Sequence, residues 1–447
     1  MYPLTLITRS VSRPCRVLTR VVLAAMLLPA LAAAQGPDSI LYTFQAVNDG
    51  SNPRSVLVAD SAGNLYGTTF SGGLDDAGTV FELSPAGGGT WKETILFNFS
   101  FAQLGNGTGP SAGLVMDKNG NLFGTTWIGG TGGGGNVFEL SPPGSPGEPW
   151  SFQEIYDFSG TNDGWSPQAG LAFDSAGNLY GTTTVGGNNL TRCMGGCGTV
   201  FRLTPPKSGS GFWKELILYN FPGTGGEDGV GGSESGVTVG PDGSVYGTTL
   251  SNPTKAKGRL GNIFRLTPKG NKKGTCKFSV VYKFDPPPDG FGPAGGVALD
   301  PQGNIYGTTY AGGSSDSGTV FQLLKGPDGI FTENILYSFQ NGADGAFPLA
   351  DLIMDGAGNL YGTASMGGNF ACTSYGCGVV FEVSPPSQQG GSWTESTLHA
   401  FAGGSDGLSP FRGLTFGLNG QLYGTTDDGG SFSCGGFGCG TVYSVTP

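Results

Sequence analysis

Gly177-Asn178-Leu179-Tyr180-Gly181-Thr182-Thr183 is the stretch on which the reading of this chain turns. It returns nearly unchanged at Asn64–Thr69, Asn121–Thr126, Ser244–Thr249, Asn304–Thr309, Asn359–Ala364 and Gln421–Thr426. The aromatic of each copy (Tyr66, Phe123, Tyr180, Tyr246, Tyr306, Tyr361, Tyr423) follows the previous one by 55 to 66 residues. Seven copies at this period are a repeat architecture near the long end of propeller blades. A glycine-rich stretch cradles a phosphate only where a helix follows it. None follows here, so these glycines are assigned to a turn and to close strand packing.

Working outward, each unit holds four strand candidates. In one complete unit they are Ala169–Asp174, Asn178–Thr183, Gly198–Leu203 and Trp213–Phe221. In the last, Ile217, Tyr219 and Phe221 alternate with Leu216, Leu218 and Asn220, the period of two that marks a strand. By analogy with other propellers, the Gly-Leu-x-x-Asp run is the inner strand and the aromatic-rich run the outer one. Asp60, Asp117, Asp174, Asp300 and Asp355 sit in the turn between first and second strands, where an Asp side chain serves its own backbone.

Four antiparallel strands repeated seven times predict an all-β, seven-bladed β-propeller of four-stranded antiparallel blades. The competing fold is a linear β-solenoid, which needs atypical capping repeats. The ends argue against it. Ile40–Phe44 matches the fourth-strand run Ile335–Phe339, and Gly440–Val445 matches a third strand. The last unit lacks a fourth strand and the first has one to spare. The expectation is that Ile40–Phe44 pairs with Thr441–Val445, so that the N-terminal strand closes the ring on the C-terminal blade.

Residues 1–34 read as a signal peptide. Arg9, Arg13, Arg16 and Arg20 precede the apolar run Val21–Leu31, and Ala32-Ala33-Ala34 offers a cleavage site. An uncleaved anchor is the alternative, although the run is shorter than the roughly 20 residues that span a bilayer. Residues 35–447 then form a single propeller domain of seven repeats. Without the four arginines, 18 Lys and Arg stand against 33 Asp and Glu, a net charge of about −15. Such a chain has no general footprint for nucleic acid or anionic lipid. Its local basic groups, Lys255, Lys257 and Arg259 and then Lys269, Lys272, Lys273 and Lys277, read as a solvated blade edge.

The pattern Asp-Gly-x-x-Pro, Gly-Leu-x-x-Asp-x-x-Gly-Asn-Leu-Tyr-Gly-Thr-Thr, Gly-Gly, Gly-Thr-Val-Phe-x-Leu, complete from Asp163 to Leu203, resembles the GloVer-type tandem repeat (choice-of-anchor tandem repeat) of secreted bacterial proteins. The Leu-x-x-Asp-x-x-Gly-Asn-Leu-Tyr part is similar, more weakly, to the NHL repeat, which forms propellers. The resemblance implies export and repeats, often with a C-terminal sorting anchor, and no established enzymatic activity. The sequence ends at Pro447, directly after the last strand, so the expectation is secretion, or residence in the periplasm or at the cell surface.

Catalytic chemistry has few places to sit. His399 is the only histidine, in a place where other repeats have Tyr, and is assigned to packing. That excludes a nucleophile–histidine triad not centred on it, and multi-histidine metal sites. Cys193 and Cys197, Cys372 and Cys377, and Cys434 and Cys439 each precede a third strand, and in an exported protein they read as three local disulfides. A metal held by two such pairs is the alternative. Cys276, aligned with Trp213, is left over as a small apolar residue.

Asp49, Asn106, Asp163, Asp228, Asp289, Asp344 and Asp406, each followed by Gly, recur in the loop entering the inner strand. They are expected to encircle one channel mouth, either as turn formers or as oxygen ligands for a cation such as Ca²⁺. Function is sought where the repeats differ, in the loops after the second strands. Phe370, Tyr375, Phe432 and Phe437 lie there as candidate ligand contacts.

The reading that follows is an exported, non-catalytic, monomeric binding or scaffolding module for a carbohydrate or protein ligand. Its alternative is a carboxylate-dependent extracellular glycosidase or lyase. That chemistry needs two carboxyls roughly 5–10 Å apart, and Glu227, Asp228 and Glu234 are its candidates.

Overall fold

Threonine hydroxyls tie each blade to the next, and apolar residues set which faces meet. A computed structural model describes residues 38–447 apart from 46–47, 104, 146, 161, 189–192, 194–195, 208–210, 223–235, 250–259, 270–275, 286 and 389. The predicted signal peptide, Asp228, Glu227, Glu234, Lys255, Lys257, Arg259, Lys272 and Lys273 lie outside the described residues. Seven four-stranded antiparallel sheets form the blades of a propeller, with no α-helix among the described residues. In blade 3 the strands run Ala172–Phe173, Leu179–Thr183, Thr199–Thr204 and Lys214–Asn220, in that order from the inside out.

The seventh blade draws on both ends of the chain. Thr415–Phe416, Leu422–Thr426 and Thr441–Val445 are completed by Asp38–Thr43, with Ile40 opposite Tyr443 and Thr43 opposite Thr441. The predicted ring closure is therefore present, with the strand starting two residues earlier and ending one residue earlier than expected.

Each apolar core lies between blades. Tyr66, Val80 and Phe99 of blade 1 pack on Leu114, Leu122, Phe138 and Leu140 of blade 2. Across the seam, Leu41, Phe44 and Val442 pack on Leu57, Leu65, Phe81 and Leu83. The glycine of each Tyr-Gly-Thr makes room for this packing. A Cβ on Gly181 would lie 2.6 Å from the Phe201 ring.

The two threonines of the motif have separate tasks. The first reaches the next blade. Thr68, Thr125, Thr248, Thr308, Thr363 and Thr425 donate to the carbonyls of Ala112, Ala169, Gly295, Ala350, Arg412 and Ser55, at 3.0 to 3.4 Å. The second binds within its blade, as Thr183 Oγ1 does to Thr199 Oγ1 at 3.0 Å. The glycine of the Asp-Gly loop covers that pair: a Cβ on Gly164 (φ +115°) would lie 2.4 Å from Thr183 Oγ1. Blade 6 replaces both partners together, with Ala364 opposite Val379.

The fourth strand departs from its predicted simple alternation. In every blade a bulge slips one aliphatic residue, so that Tyr219 faces Val200 while Ile217 faces Phe201 and Leu218 is the extra residue. The slipped residues Leu41, Ile155 and Leu336 are buried in the junctions. A bulge bends and twists its strand, and the aromatic after it leans towards the next blade.

The interblade threonine bond is testable at Thr308. Thr308→Val keeps the shape and strips the buried carbonyl of Ala350 of its donor. Denaturant unfolding should show a loss of about 1–3 kcal/mol, and Thr308→Ser should recover most of it. Equal stability for Val and wild type would contradict the role assigned to the hydroxyl.

Candidate functional site

The Asp-Gly loops and the loops after the second strands share one face. They are joined by short bridges such as Ser51 to Ser71, Trp165 to Val185 and Leu408 to Asp428. The described members of the carboxylate ring sit farther out on this face than expected. Asp49 accepts from Tyr42 Oη at 3.0 Å and from the amide of Gln45 at 2.9 Å. Asp163, Asp289 and Asp344 repeat this with Tyr156, Tyr282 and Tyr337. Those tyrosines belong to fourth strands, so the ring lies between outer strands and none of its described members lines the channel. Each of these aspartates follows its fourth-strand tyrosine by seven residues, and the hydrogen bond between them holds it at the outer strand.

A third group completes each junction: Glu93, Glu215, Glu333 and Glu395 from the fourth strand of the following blade. Burial, reinforced by the neighbouring aspartate, pushes Glu93 and Glu333 up to about 8. Burial likewise raises Glu215 and Glu395 to about 7. These glutamates hold protons where free ones have lost them. Where the glutamate position is Phe152, the tyrosine position is Phe97 and the aspartate is Asn106, and the rings stack at 4.3 Å. Phe278 stacks on Tyr219 at 4.1 Å in the same way.

The remaining junction holds His399. Its Nδ1 lies 3.2 Å from Asp38 and its Nε2 lies 3.2 Å from Asp406, so the imidazole, on the fourth strand of blade 6, joins that blade to the closing strand of blade 7. Burial opposes its charge, but the two carboxylates outweigh burial and raise its pKa. The packing role assigned from sequence holds in part, since the ring meets Phe401 edge-on at 4.7 Å. The two aspartates are partners that the sequence left unseen.

The three cysteine pairs are disulfides, with Cα–Cα separations of 5.3, 5.8 and 5.1 Å, and Cys276 is a free thiol, half-buried against a junction core. Among the described residues no group of three or more His, Cys, Asp or Glu side chains is arranged to hold a metal ion. The Cys loops of blades 6 and 7 hold Phe370, Tyr375, Phe432 and Phe437 out in solvent, 49 to 70% exposed. Trp127, Tyr310, Phe101 and Trp165 are exposed on the same face. On the opposite face Phe212 is the one such aromatic among the described residues. Lys269 and Lys277 are exposed on that opposite edge, as expected of solvated charges.

Four charged side chains near the channel went unread in the sequence. Arg54 binds Asp427 in a fork, Nε to Oδ1 at 2.8 Å and Nη2 to Oδ2 at 3.0 Å, and lies 5.1 Å over the Phe70 ring. Asp351 and Arg412 line a cavity of about 210 Å³ at the loop-side end of the channel. The available signal was a break in the repeat. The residue before each inner-strand Leu or Val is Val56, Gly113, Gly170, Gly236, Gly296, Asp351 or Gly413.

The Gloeobacter/Verrucomicrobia repeat model matches residues 30–229 and 191–443. The chain belongs to this repeat family. No curated protein matches it. Among solved structures, this Gloeobacter/Verrucomicrobia repeat protein is similar to a protein of unknown function from Dyadobacter fermentans (11% identity, 92% of this chain and 97% of that one, TM-score 0.41). It is also similar to a Thermus thermophilus protein described as an oxidoreductase (glucose dehydrogenase), at 14% identity, 90% and 99% coverage and TM-score 0.38. A Bacteroides uniformis protein described as a 6-phosphogluconolactonase matches at 14% identity, 82% and 87% coverage and TM-score 0.44.

The junction chemistry gives the repeat protein a pH dependence of definite sign. Groups whose folded pKa is raised stabilise the fold at low pH and lose that contribution as pH rises through the folded value. The four glutamates and His399 all belong to this class. Asp60, Asp174 and Asp355 work the other way. Burial opposes their ionisation, but hydrogen bonds from Asn64, Asn178 and Asn359 and from the motif tyrosines outweigh it and lower their pKa. Their contribution is lost only as pH falls through the carboxylate range. The melting temperature should therefore peak near pH 5 and fall between pH 5.5 and 8.5. The double variant Glu93→Gln and Glu333→Gln should flatten that fall. A melting temperature that rises towards pH 8.5 would refute the assignment of protons to the junctions.

Proposed function

We propose that this is an exported, non-catalytic binding module whose loop face carries the ligand contacts. The observation behind the reading is the one-sided display of aromatics: eight of the nine exposed aromatic side chains among the described residues lie on the loop face. Exposed aromatics gathered in this way mark interaction surfaces, because they supply contact area at small entropic cost. Disulfides brace the loops that carry four of them. Tyr375 lies within the Cys372–Cys377 loop and Phe437 within the Cys434–Cys439 loop of the adjacent blade, and Phe370 and Phe432 directly precede those loops. Disulfides also suit an oxidising, extracytoplasmic setting, in keeping with the leader-like residues 1–34. No helix among the described residues is long and apolar enough to cross a membrane. Asp427 is tied to Arg54, and Asp49, Asp163, Asp289 and Asp344 to tyrosines, so these carboxylates serve the scaffold.

Affinity electrophoresis against a panel of soluble plant and microbial polysaccharides tests the reading. At least one should retard the wild type. Replacing Phe370, Tyr375, Phe432 and Phe437 with Ala should weaken that retardation at an unchanged melting temperature. Loss of anchoring aromatics costs on the order of 1–2 kcal/mol each. Full retardation of the variant would refute the Cys-loop surface.

A further inference from the structure

The repeat leaves the channel wall smooth, and blades 6 and 7 interrupt it. Where other blades place Gly or Val, blade 6 places Asp351, and one position earlier blade 7 places Arg412 among Ser, Ala and Gly. Both line the cavity of about 210 Å³ near the Asp-Gly loops. The neighbouring blade is shaped for the carboxylate. The amide of Gly296 donates to Asp351 Oδ1, and a Cβ on Gly296 would lie 3.1 Å from both carboxylate oxygens. Burial raises the Asp351 pKa against the opposing effects of that amide and the charge of Arg412.

The remaining wall is mixed. Phe411, Leu349 and Val56 give apolar faces, and Ser111 and Gln168 give hydroxyl and amide groups. The volume is below the roughly 300–1,000 Å³ of sites for drug-sized ligands, so the occupant is one small ring. Asp351 and Arg412 bring one group of each sign to the wall, which does not single out an anion or a cation. A ligand with apolar faces and hydroxyl edges matches every part of this wall: the aromatic and aliphatic groups meet C–H faces, and carboxylate, guanidinium and amide meet adjacent hydroxyls. At the rim, Trp127 beside Phe70 (5.9 Å between rings) and the Arg54–Asp427 fork continue the same chemistry outward.

We propose that the loop-side end of the channel binds a single uncharged sugar ring, free or at the end of a glycan, between Asp351, Arg412 and Phe411. The proposal deepens the binding-module reading but does not depend on the Cys-loop aromatics, and the test keeps the two apart.

Isothermal titration of the disulfide-intact protein with glucose, galactose, mannose and xylose, with their β-1,4-linked trisaccharides, and with glucuronic acid provides that test. At least one neutral sugar should bind. Ala294→Phe, which fills the cavity, should weaken it at least tenfold with an unchanged melting temperature. Asp351→Asn, which keeps the acceptor for Gly296, should also weaken it, and the Cys-loop quadruple variant should bind as wild type does. The proposal is overturned if no neutral sugar binds, if glucuronic acid binds more tightly than the neutral sugars, or if Ala294→Phe binds undiminished. Loss of sugar binding in the Cys-loop variant alone would move the site to the Cys loops and also overturn it.

Discussion

A buried hydroxyl bonded to the next blade's carbonyl is the contact on which this ring depends. The inner strands are two residues long and offer almost no ladder of their own. The first threonine of each motif compensates. Its side chain is almost wholly buried, and it satisfies a carbonyl just ahead of the neighbouring inner strand, which the short ladder does not reach. A buried carbonyl without a donor is costly, so the six described bonds of this kind fix the spacing of blades around the channel. The seam obeys the same rule: Thr425 of the last blade reaches Ser55 of the first, across 370 positions of sequence.

Farther out, the junctions are held by a different set of groups that change together. Tyrosine, aspartate and protonated glutamate form one version, and stacked aromatic rings another. At the closing strand, histidine between two aspartates forms a third. The protonated glutamate and the imidazolium each lessen the charge that a partly buried interface has to hold. Junction 1/2 illustrates the coupling. With Phe97 in place of tyrosine no hydroxyl seeks an acceptor, and Asn106 and Phe152 stand where the acids would be.

Most of the fold was legible because it rests on local rules repeated seven times. The period, the Asp-x-x-Gly-Asn turn and the spare strand at Ile40 each predicted what is observed. The bulge after Ile217 was not legible, since a slipped aliphatic residue leaves the alternation of Ile217, Tyr219 and Phe221 intact to the eye. The tyrosine bonds that hold the aspartate ring outside its expected place were not legible either. Of the candidate site, the Cys loops and their aromatics could be read from the sequence. Asp351 and Arg412 each left only a break in the repeat at one aligned position, and that break acquires meaning once the seven copies are set around one axis. Asp38 and His399 lie 361 residues apart and meet only through ring closure.

The molecule divides into a scaffold that repeats and a loop face that does not, and the scaffold requires seven blades in a closed ring. Circular permutation tests that requirement most directly. Val445 and Asp38 face each other across the seam as third and fourth strands do across a hairpin in every other blade. Joining residue 447 to residue 38 with a short Gly-containing turn, and opening the chain instead between the third and fourth strands of blade 6 near residue 389, should give a protein that folds and melts within a few degrees of the parent. An unfolded permutant, or one that loses whole blades to proteolysis, would contradict the closed ring.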